Sequence, residues 1–147
     1  MDRLLDSAST GPLYLRQSEL AGIVVESICY PNRISREYDL HSFVVMANHV
    51  HLLITPRVTV SQIMHSLKRF TARECNKILG LTGKPFWQDE SYDRLVRNRR
   101  EFERIARYIE MNPVKAGLVA SAEEFLWSSA RPIANRPQVF NLPHKFA

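Results

Sequence analysis

Residues 48–56 read Asn48-His49-Val50-His51-Leu52-Leu53-Ile54-Thr55-Pro56, and this segment has the character of a β-strand. Its centre is apolar and Pro56 stops it, which is typical of a strand followed by a break. Alternate side chains of a strand project from the same face, so His49 and His51 are predicted to lie side by side. Two adjacent imidazoles suit a metal ion, but half-exposed histidines without a ligand would have the same spacing. The segment therefore predicts a strand and leaves both roles open for its histidines.

The segments on either side supply further strands. Tyr38 to Met46 is rich in β-branched and aromatic residues, which favour a strand. Ala47-Asn48 fits a two-residue hairpin turn before the histidine strand, because Asn tolerates a positive φ. Tyr92 to Val96 is predicted to form another short strand.

Three helices are predicted from capping residues, apolar faces and stop signals. Their predicted caps and ends are Ser18 and Pro31, Thr59 and Gly80, and Asn98 and Pro113. In the second helix the predicted inward face consists of Met64, Leu67, Thr71, Cys75 and Ile78. Together these elements predict an α+β fold, with an antiparallel sheet and helices packed on one or both of its faces.

Length and composition indicate one soluble domain. Of the 147 residues, 45% are hydrophobic and 24% are charged, as in ordinary globular proteins. We expect a loose N-terminal lead-in over 1–13, one domain over 14–130 and a flexible C-terminal tail over 131–147. No apolar run approaches the ~20 residues that cross a bilayer, and Met1 begins no recognisable signal peptide. Two distant cysteines make no disulfide framework, so we expect the protein in a reducing cytoplasm.

The positive charge is unevenly distributed along the chain. The net charge of +5 and the pI near 9.5 favour a polyanionic partner such as nucleic acid. Two clusters carry much of this charge: Arg94, Arg97, Arg99, Arg100, Arg104 and Arg107, and then Lys68, Arg69, Arg73 and Lys77. A basic run can also be an ordinary solvated face. The residues that we predict to contact nucleic acid are Lys68, Arg69, Arg73, Arg94 and Arg97.

Two aromatic residues and one tyrosine need separate interpretation. Phe86 and Trp87 can stack on an unpaired base or pack in the core. Tyr108 and Asn112 lie four residues apart in the third predicted helix, so they are neighbours on its surface. A boundary tyrosine that covers the core is the ordinary alternative for Tyr108, and an Asn-Pro helix terminus is that for Asn112.

Four blocks of the sequence resemble a known family. The blocks are Val44-Val45-Met46-Ala47-Asn48-His49-Val50-His51-Leu52-Leu53, Gly83-Lys84-Pro85-Phe86-Trp87-Gln88-Asp89, Tyr108 to Leu118, and Trp127-Ser128-Ser129. In this order they resemble the HUH single-tyrosine transposases, and within them the REP-associated tyrosine transposases of bacteria. The resemblance extends from about Ser9 to Ala130.

The resemblance implies a chemistry and a partner. It implies a ferredoxin-like palm in which His49, His51 and Asn112 hold one divalent cation. Imidazole and amide ligands with open positions suit Mg²⁺ or Mn²⁺. Tyr108 is then implied as the nucleophile that cleaves single-stranded DNA and forms a 5′-phosphotyrosine. The implied partner is single-stranded DNA with hairpin-forming repeats, bound by a monomer or a homodimer.

Two departures from the family leave alternatives open. The family's first strand is expected to be missing, because only a handful of residues precede Ser9. Ala47 also stands where proline is common. One alternative is a catalytically silent protein that binds single-stranded or hairpin DNA. The other is a metallohydrolase with a third ligand from His41, His65 or His144.

Overall fold

A computed structural model describes residues 1–7, 11–88 and 91–131. Its strands and helices alternate irregularly along the chain. They are β1 (Arg3–Ser7), α1 (Ser18–Tyr30), β2 (Tyr38–Val45), β3 (Val50–Pro56), α2 (Val60–Leu79), β4 (Ser91–Leu95) and α3 (Arg99–Lys115). The four strands form one antiparallel sheet with the order β2-β3-β1-β4. The predicted α+β class is confirmed.

The first strand is present, so the prediction that it is missing was wrong. β1 pairs with β3 on one side and with β4 on the other, which places it inside the sheet. Five residues suffice because both edges of β1 are hydrogen-bonded. The expected loose lead-in over 1–13 is therefore corrected for Arg3–Ser7, while residues 8–10 lie outside the described residues. The strand was not recognised in the sequence because Asp6 and Ser7 are polar, which leaves Leu4 and Leu5 as its only apolar residues.

The two faces of the sheet are covered by different helices. Leu5 of β1 lies in the larger core with residues of α1 and α2. Leu4, its neighbour in sequence, packs with Leu53 and with residues of α3. Because successive strand residues point to opposite faces, α1 and α2 cover one face and α3 covers the other.

The hairpin between β2 and β3 has the predicted two-residue connection. Met46 donates its N–H to the carbonyl oxygen of His49 at 2.8 Å across Ala47 and Asn48. Asn48 does not adopt a positive φ, contrary to the argument that favoured it at this position. This short connection places His49 directly before the first residue of β3.

The helices confirm some of the predicted boundaries and correct others. Thr59 and Gln62 form the predicted capping box, and Gly80 ends α2 with a φ of 71°. Ser18 is the first residue of α1, and the preceding Gln17 is at the cap position. In α2 the buried face includes Ile63 and Phe70. Ile78 was predicted to face inward but is 42% exposed. The reason is that the buried face of α2 is rotated around the helix by one position relative to the predicted face.

Pro113 does not end α3, which continues to Lys115. The carbonyls of the last turn are satisfied by residues beyond the helix: Ala116 donates to the carbonyl oxygen of Asn112, and Leu118 to that of Pro113, both at 3.0 Å. Asn98 caps the other end of α3 as predicted, by accepting the N–H of Glu101.

The segments around the helices close the core. Phe86 is buried and stacks on Tyr14, with 5.5 Å between ring centroids. Trp87 donates its indole N–H to Thr71 Oγ1 at 2.8 Å and packs, partly buried, against the core. After α3 the chain returns to the edge of the sheet, where Val45 donates to the carbonyl oxygen of Trp127 at 2.8 Å. Of the predicted tail over 131–147, residues 132–147 lie outside the described residues.

Both cysteines are free and buried, as expected from their spacing. Burial raises the pKa of the Cys75 thiol to about 12, and the nearby charge of Glu74 adds to the shift. None of the described helices combines the length and the apolar composition that a bilayer-spanning helix requires.

The central position of β1 predicts a large effect of shortening Leu5, whose side chain is 1% exposed. We expect Leu5→Ala to lower the free energy of unfolding by about 2–5 kcal/mol, because a cavity remains in the larger core. Urea denaturation followed by circular dichroism measures this change. Leu95→Ala, at an exposed position of the edge strand β4, is the control and should change it by less than about 0.5 kcal/mol. Equal effects of the two substitutions would show that β1 does not support the core.

Candidate active site

Three aromatic rings meet on the face of the sheet that α3 covers. The ring centroids of His49 and His51 are 5.0 Å apart, with an interplanar angle of 84°. The ring centroids of His51 and Tyr108 are 5.9 Å apart. His51 lies in β3, His49 is the residue immediately before that strand, and Tyr108 lies in α3. The predicted pairing of the two histidines on one face is confirmed, and the fold brings Tyr108 to them from 57 positions later in the chain.

Each of the two imidazoles is hydrogen-bonded through Nδ1 to a side-chain oxygen atom. His51 Nδ1 lies 2.5 Å from Asp6 Oδ1, and His49 Nδ1 lies 2.9 Å from Asn48 Oδ1. The Asn48 amide nitrogen donates to the carbonyl oxygen of Gly11, which turns the amide oxygen toward His49. Carboxylate and amide oxygens accept hydrogen bonds, so both imidazoles donate from Nδ1, and in the neutral tautomer with this donor the lone pair is on Nε2. This arrangement of Nδ1–H and a bare Nε2 is the one that metal-binding histidines use.

The surroundings of His49 favour its neutral form. Burial lowers its pKa, and the neighbouring His51 lowers it further, while the carboxylate of Asp6 opposes the shift. A lowered pKa means that the neutral imidazole, the form that binds metals, persists to lower pH.

Asn112 lies one helical turn beyond Tyr108 and is half-buried. Among the described residues, His, Cys, Asp and Glu side chains form no group of three that could hold a metal ion. A metal ion held by the two imidazoles would therefore take a further protein ligand of another type, and the sequence interpretation names the amide of Asn112. Two imidazoles and an amide oxygen make a donor set that fits Mn²⁺ or Mg²⁺.

The other histidines are separated from the pair. His41 Nε2 lies 2.6 Å from Thr55 Oγ1, and Thr55 is four residues beyond His51 along β3. At a rise of 3.3 Å per residue, Thr55 and the ring of His41 bonded to it lie about 13 Å along the strand from His51. His65 is exposed on α2, on the opposite side of the sheet. His144 lies outside the described residues. The structure thus places neither His41 nor His65 with the pair, and the zinc hydrolase alternative has no third histidine among the described residues.

Tyr108 faces a basic groove. Its side chain is 46% exposed, and it lines a groove of about 420 Å³ with Arg104, Arg107, Met111 and Lys115. Lys115 Nζ lies 5.7 Å from the centroid of the Tyr108 ring. A phenol that borders a pocket with three cations and no carboxylate is suited to meet a phosphate group.

The predicted nucleic-acid residues fall into two groups. Arg94 and Arg97 lie near the start of α3, where both contribute to a lowered pKa of Glu101 in spite of its desolvation. The other three are Lys68, Arg69 and Arg73. All three belong to α2, which packs on the opposite face of the sheet from Tyr108. The structure does not bring this second group to the site.

Asp6 is a candidate functional residue that the sequence interpretation missed. It holds His51 from β1, and β1 itself was not recognised. An acidic residue in a short segment carries no periodic signal. Once β1 is paired with β3, however, Asp6 stands directly opposite His51.

Glu110 is a second residue that was missed. Its Oε2 accepts hydrogen bonds from Ser129 Oγ at 2.6 Å and from Ser42 Oγ at 3.4 Å. The amide of Phe43 donates to Ser129 Oγ at 2.9 Å. Glu110 lies midway between Tyr108 and Asn112, so these bonds fix that turn of α3 against β2. The signal was present, because Glu110 and Ser129 both lie in blocks that resemble the family.

Comparisons with known proteins place this site in a family. The family described as "Transposase IS200 like" matches residues 18–112, which include both histidines, Tyr108 and Asn112. No curated protein is significantly similar to this chain. A REP-associated tyrosine transposase bound to a REP hairpin has a similar solved structure, with a TM-score of 0.65 at 20% identity, covering 98% of this chain and 86% of that one. A proposed transposase from Deinococcus radiodurans R1 has a TM-score of 0.46 at 21% identity, covering 75% of this chain and 88% of that one.

The family match covers well over half of the sequence, and the first of these structures shares the fold at nearly full length. The α+β architecture, with four antiparallel strands and three helices, is common to both proteins. On the strength of the family match, the chain belongs to the IS200-like transposases.

Proposed function

We propose that this chain cleaves and rejoins single-stranded DNA through a covalent bond between Tyr108 and a 5′ phosphate. The observation that carries the proposal is the meeting of the Tyr108 ring with an imidazole pair whose Nδ1 atoms are both engaged. A boundary tyrosine without a function would require neither the pair nor its orientation. The basic groove on the outer side of Tyr108 adds a place for the DNA backbone.

The proposed reaction exchanges one phosphodiester for another. Tyr108 Oη attacks phosphorus, the bond from phosphorus to the 3′ oxygen breaks, and a 5′-phosphotyrosine forms. The phenol loses one proton and the departing 3′ oxygen gains one, so no further reactant is consumed. Attack by a second 3′-hydroxyl reverses these steps, rejoins DNA and restores the tyrosine.

His49, His51 and Asn112 are the residues that we propose to hold a divalent cation, Mg²⁺ or Mn²⁺. When bound there, the cation would supply a positive charge for the scissile phosphate. The chain's own contribution is orientation. Asp6 and Asn48 fix the two imidazoles, and Glu110 fixes the turn of α3 that carries Tyr108. Correct placement of reacting atoms can account for much of a rate enhancement.

We propose hairpin-forming single-stranded DNA as the substrate and a REP-associated type of transposase as the nearest functional class. This rests on the blocks quoted from the sequence and on the hairpin named for the structure with the same fold. The cytoplasm is the proposed location, and a monomer or a homodimer the proposed form.

The phosphate contacts are proposed to come from Arg104, Arg107 and Lys115, which line the groove beside Tyr108. They replace Lys68, Arg69 and Arg73, which lie across the sheet. Arg94 and Arg97 remain candidates, because they stand on the same side as α3.

Tyr108→Phe tests the nucleophile. Wild-type protein with Mn²⁺ and a labelled hairpin oligonucleotide should give a covalent product that survives denaturation. Tyr108→Phe should abolish this product and leave DNA affinity within about twofold, because the hydroxyl is a reactant and not an anchor. Gel electrophoresis and a binding titration measure the two effects.

Tyr14→Phe, in which the ring on Phe86 is kept, is the control and should still form the adduct. An adduct in Tyr108→Phe would mean that another residue is the nucleophile. Tight hairpin binding without any wild-type adduct would favour the catalytically silent DNA-binding protein instead.

Removal of His49 or of Asp6 tests the cation site. We expect His49→Ala to eliminate calorimetrically detectable Mn²⁺ binding, and Asp6→Ala to weaken it by roughly 10- to 100-fold, since an orienting carboxylate supports its histidine ligand. His65→Ala removes an exposed histidine on α2 and should leave the affinity unchanged. Unaltered Mn²⁺ binding in His49→Ala would contradict the proposed ligand set.

Two double substitutions with the same loss of charge test which face binds DNA. Arg107→Ala/Lys115→Ala should weaken hairpin binding more than Arg69→Ala/Arg73→Ala. It should also reduce the salt dependence, since each lost phosphate contact lowers the slope by ~0.7 for a single strand. Fluorescence titrations at several salt concentrations give both quantities. The opposite order would restore the prediction made from the sequence, in which α2 binds the DNA.

A further inference from the structure

A row of paired residues crosses the sheet from the site to its far edge. Val44 is paired with His51, His51 with Asp6, and Asp6 with Tyr92 of β4. Directly paired residues in an antiparallel sheet point to the same face. The hydrogen bond between the side chains of Asp6 and His51 shows which face this is. Tyr92 therefore lies on the same face of the sheet as Tyr108. It is two strands away from His51, which corresponds to about 10 Å at the usual spacing between strands.

This part of the sheet is open. α3 packs on β2 and β3, and all five residues of β4 are exposed. Tyr92 is 59% exposed, more than any other Phe, Tyr or Trp side chain among the described residues. A single exposed ring is ordinary on a protein surface, but Tyr92 stands on the open face of the sheet that also carries the candidate active site.

Arg94 adds a positive charge to the same surface. It is paired with Leu4, whose side chain packs on the α3 side of the sheet, so Arg94 faces that side as well. Its charge also contributes to the lowered pKa of Glu101 at the start of α3. The remaining charged residue of β4, Asp93, is paired with Leu5 and faces the opposite side, where it lies 3.4 Å from Arg3.

We propose that Tyr92 and Arg94 form a β4 shelf that binds the single strand next to the cleavage point. Tyr92 stacks on an unpaired base that flanks the scissile phosphate, and Arg94 contacts an adjoining phosphate. Every base presents a flat face to an aromatic ring, and a neighbouring cation engages the backbone, which is how single strands are bound without base pairing. The inference rests on the proposed function, because Tyr108 defines where cleavage occurs.

A second copy of this chain is the competing occupant, since β4 is an edge strand. Pairing of two β4 edges would use main-chain groups and would not need the Tyr92 ring. The shelf instead combines one ring and one cation on the face that continues to the basic groove of Tyr108. Charge complementarity and this continuity favour DNA.

The first measurement is affinity for a hairpin with a short single-stranded extension, compared with the same hairpin without it. Tyr92→Ala should weaken binding of the extended hairpin by roughly 5- to 100-fold, the range of one base stacked on an aromatic side chain. It should change binding of the hairpin alone by less than about twofold. Tyr92→Phe keeps the ring and should restore the affinity. Leu95→Ala, at an exposed position on the other face of β4, is the matched control.

The second measurement is direct. Extended hairpins with 5-iodouracil at successive unpaired positions are irradiated with wild-type protein, and the cross-linked peptide is identified by mass spectrometry. A cross-link at Tyr92 from one position supports the shelf.

The outcomes separate the shelf from the proposed function. If the wild type binds the hairpin and forms the Tyr108 adduct, but Tyr92→Ala binds the extension normally, the shelf is overturned and the proposed function stands. If Tyr92→Ala alters sedimentation of the free protein and not DNA affinity, β4 is an interface between copies and the shelf is overturned. If the wild type neither binds nor cleaves hairpin DNA, both proposals fail.

Discussion

The hydrogen bond between Asp6 and His51 links the fold of this chain to its candidate active site. It depends on β1, a five-residue strand held on both edges inside the sheet. Leu5 fills the larger core from one face of β1, while Asp6 reaches the histidine pair from the other. β1 is also the strand to which β4 is paired. A change in its register by one residue would exchange these two faces, so stability and site geometry cannot be altered independently here.

The division of the sheet into two faces explains how an open site is tolerated. The face under α1 and α2 carries most of the buried hydrophobic residues. The face under α3 has a smaller core, centred on Leu53, Ile105 and Ile109. Because hydrophobic burial is the main stabilising contribution, the first face can sustain the fold while the second stays partly uncovered. Tyr108, the groove beside it and the exposed strand β4 all lie where α3 leaves the sheet accessible.

Much of this arrangement could be predicted from local patterns. Alternation placed His49 and His51 on one face, and helical spacing placed Tyr108 beside Asn112, because both rules act over a few residues. The pairing of β1 could not be predicted, since a strand with two apolar residues has no clear period. For a related reason the sequence did not show that Arg69 and Arg73 lie on the opposite face of the sheet from Tyr108. Charge patterning identifies a basic surface but not the face of the sheet on which its helix packs, and that is decided by Ile63 and Phe70 in the core.

The continuation of α3 past Pro113 has a mechanical consequence for Tyr108. Had the helix ended there, Asn112 would lie in its last turn and Tyr108 within about one and a half turns of its end, where backbone hydrogen bonds open more readily than in the middle of a helix. Instead the helix reaches Lys115, and Leu118 donates to the carbonyl oxygen of Pro113. Glu110 and Ser129 hold the same turn against β2 from the other side. Tyr108 is thus half-exposed on a helix whose following turns are held in place, which lets a solvent-accessible hydroxyl keep a defined direction. The nucleophilic role proposed for Tyr108 depends on placement and requires this combination of access and rigidity.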